Sequence, residues 1–173
     1  NHDAYVLGVL EPNPQKVDAY RTAWTRNVLS PANLAWLEYL GKEQRFVADG
    51  CSLMLRHASP WDEETYLYPD SEALHEIKLG DREVLCVGHT HRPLVHPAGM
   101  GLVVNPGSVG QPRDWNPGAS YSILSLPSVE ARIQRVTYDV GAMQRDLSVR
   151  GWNKEAIEIL SRKKDDDDRR TLR

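Results

Sequence analysis

The sequence is short of the residues that mark several protein classes. Its 173 positions hold two cysteines and one phenylalanine. No run reaches the roughly 18 apolar residues that a membrane-spanning helix needs. No basic segment followed by an apolar stretch opens the chain, so no secretory signal is expected. Cys51 and Cys86 lie in apolar runs rather than in a disulfide framework, which points to inert thiols in a reducing cytoplasm. Positive charge is not in excess either. Lys and Arg number 21 against 24 Asp and Glu, a net charge of -3, so no global field exists to hold long nucleic acid. What remains, 40% hydrophobic and 26% charged residues, is the composition of one soluble globular domain with a core, and excludes a disordered chain.

The chain opens on Asn1-His2-Asp3 without a methionine and reads as the C-terminal portion of a longer domain. After the turn at Glu11-Pro12-Asn13-Pro14, Val17, Tyr20, Trp24 and Val28 recur at helical spacing, predicting a helix over about 16–29. Ser30-Pro31 supplies a cap and a first-turn proline for a second helix over about 31–40, stopped by Gly41. The period then changes. Arg45-Phe46-Val47-Ala48 and Cys51-Ser52-Leu53-Met54-Leu55 flank Asp49-Gly50, the dipeptide of a type I′ hairpin. Asp70 to Leu79 predicts a short helix, and Glu83 to Val87 and Gly101 to Val104 predict buried strands. Positions 119–126 and 130–138 alternate as a polar-faced hairpin, and 140–163 reads as helix broken near Gly151. No linker divides the chain. A single domain is expected over 1–161, and the blocks of both charge signs in 162–173 predict a solvated helix end or a disordered tail.

Three of these strands stop at polar segments: His57-Ala58-Ser59-Pro60, Gly88-His89-Thr90-His91 and Asn105-Pro106-Gly107-Ser108. With Asn1-His2-Asp3 they hold four of the six histidines. Strand carboxyl ends with glycine-bearing loops are where open α/β sheets collect ligands. In Gly-His-x-His the imidazoles at i and i+2 are expected to leave an extended strand on one side, close enough to address two neighbouring metal ions. His75, inside an expected helix, and His96, on an outgoing strand, read as ordinary surface or core residues. Trp24 and Trp36 fit helix packing, whereas Trp61 and Trp115 lie beside the site segments and are weaker candidates to line a pocket. Arg92 and Arg113 are candidates for bidentate contacts to a phosphate.

These motifs resemble the calcineurin-like metallophosphoesterases, in particular the small YfcE-type phosphodiesterases. The resemblance rests on Asn1-His2-Asp3, His57-Ala58-Ser59-Pro60, Gly88-His89-Thr90-His91 and the segment Asn105 to Asp114, and covers residues 1 to about 140 in order. The family's Asp-x-His and Gly-Asp motifs would precede Asn1 and are not in the chain. Their absence means either that they lie further upstream in a longer protein or that half the metal site has been lost.

The resemblance implies an α/β sandwich of two facing mixed sheets flanked by helices. It implies two divalent transition-metal ions, manganese first, with zinc, iron or nickel as alternatives. Asn1, His57 and His89 would hold one ion and His91 the other. His2 would be the general acid, and Asp3 would keep it charged or oriented. The implied reaction is attack on a P–O bond by hydroxide held at the metals, without a covalent enzyme intermediate. The substrate would be a small phosphoester or nucleotide rather than nucleic acid. A different class is represented by the retromer subunit of the same fold, a protein-interaction scaffold that has given up catalysis, and retention of His2 favours the enzyme. Tyr66-Leu67-Tyr68 and the hairpin at 119–138 are the candidate surfaces for a homodimer.

Overall fold

The computed structural model describes residues 1–162, so the expected charged tail lies, beyond Arg162, outside the described residues. The Asp49-Gly50 turn takes φ values of 48° and 75°, the paired positive angles of a type I′ turn. It folds β1 (Glu43–Ala48) back on β2 (Cys51–Arg56), with Ala48 opposite Cys51. β3 (Glu83–Cys86) lies parallel beside β2. β4 (Pro93–Ala98) and β5 (Gly101–Pro106) form a second hairpin, and β5 lies parallel beside β3. The mixed sheet therefore has the order β1-β2-β3-β5-β4. Pro93 and Pro97 fit because β4 is an edge strand, where a missing N–H breaks no inner ladder.

Successive residues of the inner strands alternate between two cores, as the strand period of two requires. Leu85 and Val103 join Leu67, Leu74, Ile77 and Leu94 on one face. Val84 and Val104 join Cys51, Leu53 and Leu102 on the other. That second face is covered by Leu124, Leu126, Val129 and Ala131 of the hairpin formed by β6 (Ala119–Ser125) and β7 (Glu130–Val136). Of the two facing sheets expected, the larger is mixed and the smaller, among the described residues, is an antiparallel pair.

The helices are α1 (His2–Leu7), α2 (Val17–Tyr20), α3 (Thr22–Val28), α4 (Pro31–Tyr39), α5 (Val140–Val149) and α6 (Lys154–Glu158). None is long and apolar enough to cross a membrane. α1 was not expected, because three polar residues at its start read as a strand end. The helix expected over 16–29 is interrupted at Arg21, whose φ is 49°. Its guanidinium lies 4.9 Å from the Trp24 ring and 5.1 Å from the Trp152 ring and donates to the Arg150 carbonyl at 3.1 Å, a tertiary clamp that overrides local helix preference. The helix expected over 70–79 shrinks to one 3-10 turn at Glu72–Glu76. Leu79 is pulled out of it by hydrogen bonds with Ala98 and Met100, each 3.0 Å.

Leu85 is fully buried at the centre of the sheet. Leu85→Ala is expected to lower folding stability by about 2–5 kcal/mol, read as a shifted urea midpoint with an unchanged slope.

Candidate functional site

β2, β3 and β5 are parallel, so all three end on the same edge of the sheet. His57, His89 and Asn105 stand just past or at those ends. The Gly88 N–H donates to the His57 carbonyl at 2.8 Å, which continues the β2–β3 ladder into the loops and holds the two histidines side by side. Their rings meet at 4.9 Å between centroids and 67° between planes.

His57 Nε2 lies 2.8 Å from Asn1 Oδ1 and 3.1 Å from His89 Nδ1. Asn1 is turned this way because its Nδ2 donates to the Tyr5 hydroxyl, one turn along α1, at 3.3 Å. A neutral imidazole nitrogen is a donor or an acceptor, never both. One proton at Nε2 cannot make two straight bonds, so the amide oxygen and the two ring nitrogens are imperfectly satisfied by each other. His89 Nε2, on the other side of its ring, is buried without a hydrogen-bond partner. The Glu64 backbone favours the protonated form of this ring, against the effect of burial. A divalent cation would satisfy the converging oxygen and nitrogens together, and this imidazole–amide donor set suits a borderline-soft ion. Among the described residues no three His, Cys, Asp or Glu side chains converge on such a point.

His91 stands apart from this trio. Its Nδ1 donates to the Gln111 carbonyl at 2.8 Å, which leaves Nε2 as the bare nitrogen. His89 and His91 do not project from an extended strand as expected. Their φ values are 63° and 57°, a left-handed backbone that costs a non-glycine residue on the order of 1–3 kcal/mol. The loop is held there by Asn105, which is fully buried. Its Nδ2 donates to the Gly88 carbonyl at 2.7 Å and to Thr90 Oγ1 at 3.0 Å, while its Oδ1 accepts from Gly107 N at 2.9 Å. Sequence reasoning placed Asn105 in a site segment but gave it no role. The signal was an amide at a strand end, where only the neighbouring parallel strand reveals what it holds. Arg135 was missed altogether. It pairs with Asp114 and donates to the Asn116 and Gly118 carbonyls at 3.1 and 3.0 Å, anchoring the loop that carries Arg113.

His2 begins α1 with its ring 4.4 Å from Tyr20 and 5.6 Å from Tyr5. Asp3 is exposed and makes no hydrogen bond to it; its charge only favours the protonated ring. Arg113 donates its backbone N–H to the His91 carbonyl at 3.2 Å, and its charge is felt by His2, His89 and His91. Arg92 is more fully engaged, with its guanidinium 5.1 Å from the Tyr68 ring and Nε on the Arg113 carbonyl at 3.1 Å. His75 and His96 pair with each other at 5.7 Å. Trp115 lies under the Arg162 guanidinium at 5.6 Å.

Burial disfavours the charged form of His2, His57, His89 and His91 and holds all four below the ordinary histidine range. Beside burial, the Arg113 charge lowers His2, His89 and His91. The outer edge of His57 is open to solvent, so the neighbouring rings of His89, His2 and His91 add to the effect of burial there.

The comparisons show the family and the fold. Residues 2–128 match the calcineurin-like phosphoesterase superfamily domain, and the chain belongs to that superfamily. It is 33% identical over 158 residues to the uncharacterised protein MJ0912 of Methanocaldococcus jannaschii, an alignment covering 81% of this chain and 64% of that protein. The chain thus spans under two thirds of that relative's length. The crystal structure of a metallophosphoesterase from Sphaerobacter thermophilus is 27% identical, with a TM-score of 0.71 over 94% of this chain and 74% of that one. The hypothetical protein PH1004 of Pyrococcus horikoshii, 18% identical, has the same fold, with a TM-score of 0.74 over 93% of this chain and 70% of that one.

Two expectations follow. Asn105→Ala strands the Gly88 carbonyl, the Thr90 hydroxyl and the Gly107 N–H, so stability should fall by on the order of 2 kcal/mol or more, measured by denaturant unfolding. In metal-free protein the unfolded chain takes up protons from pH 6.5 downward while the folded state resists them. Stability should therefore fall as pH drops below that value, and His57→Gln should flatten the slope of stability against pH.

Proposed function

We propose that the chain carries a metal-dependent phosphoesterase centre that hydrolyses small phosphodiesters. The observation that carries this reading is the convergence of Asn1 Oδ1, His57 Nε2 and His89 Nδ1 at three parallel strand ends in a member of the calcineurin-like superfamily. Asn1, His57 and His89 would hold one divalent cation and His91 would contribute to a second, manganese being the first candidate. Such ions supply Lewis acidity and a nucleophile from water at neutral pH.

The chain's own residues supply the rest. The Gln111 carbonyl fixes the tautomer of His91, so its Nε2 would carry a lone pair without reorganisation. Arg113 places a fixed cation beside them, suited to a phosphoryl oxygen. His2 has its pKa depressed by burial and by neighbouring cations, and an arriving phosphate anion opposes that effect. A bound phosphate would thus favour the protonated ring, which could give its proton to the leaving oxygen. Overall acidity disfavours long nucleic acid as substrate.

His2→Ala should lower turnover by about 10²–10⁴ with metal content unchanged, while His57→Ala and His89→Ala should lose metal. Elemental analysis on protein of recorded intact mass, with phosphodiester assays on the same sample, checks all three. Metal-free wild-type protein with no hydrolysis after manganese addition would overturn the reading in favour of a scaffold.

A further inference from the structure

Beside the imidazoles the aromatic wall is closed, and Arg113 is left without a partner of opposite charge. Tyr66 packs its ring 4.0 Å from that of His89 and stacks on Tyr68 at 5.6 Å. Tyr68 is covered in turn by the Arg92 guanidinium, and Leu67 between the two tyrosines is buried in the core, which takes Leu67 out of the expected dimer surface. The Arg113 guanidinium donates to the Gln111 side-chain oxygen at 3.1 Å and, among the described residues, to no carboxylate. The residue that follows it is nevertheless an acid. A free Asp114 carboxylate would have the adjacent guanidinium within reach and would cancel the charge that a phosphoryl oxygen needs. Arg135 prevents this from the far side of the loop. Trp115 is left-handed, with a φ of 64°, and around it the Asp114 carboxylate and the Asn116 and Gly118 carbonyls all meet the Arg135 guanidinium, which comes from β7, 21 positions away. Asp114 Oδ2 takes the Arg135 bond, whereas Oδ1 is buried with no hydrogen-bond partner. Among the described residues Arg135 is thus the group that neutralises this acid.

We propose that Arg135 is a positioning residue that keeps Arg113 available to a phosphate anion: by pairing with Asp114 it removes the neighbouring carboxylate that would otherwise compete for the Arg113 guanidinium. The proposal rests on the phosphoesterase reading and adds to it what holds the phosphate-binding cation free. Anchoring the loop is a different role. The two carbonyl bonds need only a donor, whereas freeing Arg113 requires a positive charge on Asp114.

The test is calorimetric titration of the manganese-loaded chain with inorganic phosphate. Arg135→Met should weaken phosphate binding about tenfold, with manganese content unchanged, because Asp114 turns to Arg113. Arg135→Met combined with Asp114→Asn, which removes both charges, should recover the wild-type affinity. Arg135→Lys, which keeps a charge on Asp114 without the fork that reaches the carbonyls, should stay within about twofold of it. In an Arg113→Met background, Arg135→Met should have no further effect. Full affinity in Arg135→Met, or losses that add to those of Arg113→Met, would overturn the proposal. No recovery in the double variant, or a loss in Arg135→Lys as large as that in Arg135→Met, would overturn it in favour of loop anchoring alone. Where Arg135→Met does not fold, the double variant and Arg135→Lys decide. Hydrolysis of bis(p-nitrophenyl) phosphate, followed on the same samples, separates the two readings. Phosphate affinities in the expected pattern without turnover keep the role of Arg135 and overturn the phosphoesterase, and turnover with an affinity indifferent to Arg135 does the reverse.

Discussion

The buried carboxamide of Asn105 is the constraint on which the site depends. It reaches from the end of β5 to the loop that follows β3, and its three hydrogen bonds use every strong direction the amide offers toward that loop and its own turn. Two left-handed histidines in three residues would relax in a free loop, since each pays for a sparsely populated backbone region. They persist because relaxing would strand a buried carbonyl, hydroxyl and N–H at a larger cost. The strained backbone turns His89 Nδ1 toward His57 and sends His91 the other way, to Gln111.

The parallel register sets where that constraint can act. Had β3 run antiparallel to β2 and β5, its polar end would lie on the opposite edge of the sheet, and neither Asn105 with Gly88 nor His57 with His89 could meet. Tertiary contact thus joins residues 15 to 56 positions apart at one edge. Burial is uneven around it. The two cores lie on the faces of the larger sheet, whereas α4 buries none of its residues and exposes 61% of Trp36 and 90% of Tyr39. The rigid body carrying the histidines is therefore the sheet, and α1, which brings Asn1 and His2, joins it through a thinner set of contacts.

Much of this was legible in the sequence where local chemistry dominates. Asp49-Gly50 specifies its hairpin through paired positive φ, apolar runs specify β2, β3 and β5, and Gly151, at φ 72°, ends α5 where expected. What stayed hidden has a long-range cause each time. Arg21 breaks a periodic helix where Trp152 and the Arg150 carbonyl, from a distant segment, capture its side chain together with the nearby Trp24. Leu79 leaves an expected helix to pair with the β4–β5 hairpin. The histidine motifs announced the site, but the backbone that aims them did not follow from i, i+2 spacing, which assumes an extended strand. Tyr66 and Tyr68 were visible only as exposed apolar residues, since nothing local says that their rings continue from an imidazole.

The electrostatics bear on how such a site handles an anion. Four imidazoles and Arg113 gather at one edge of a chain whose net charge is -3. Burial and mutual repulsion keep the imidazoles neutral, so they are available as ligands rather than as a cationic patch. The permanent charge that remains there is Arg113, and it is aimed by a backbone hydrogen bond and a loop tied down by Arg135. Cation binding would add positive charge at the same edge and depress His2 further, whereas a bound phosphodiester monoanion would offset part of it. Under the proposed function, the protonation of His2 would be coupled to whether the phosphoryl group is present. The orienting part expected of Asp3 has no counterpart in the structure, where its side chain stands in solvent without a bond to the ring and acts on it by charge alone.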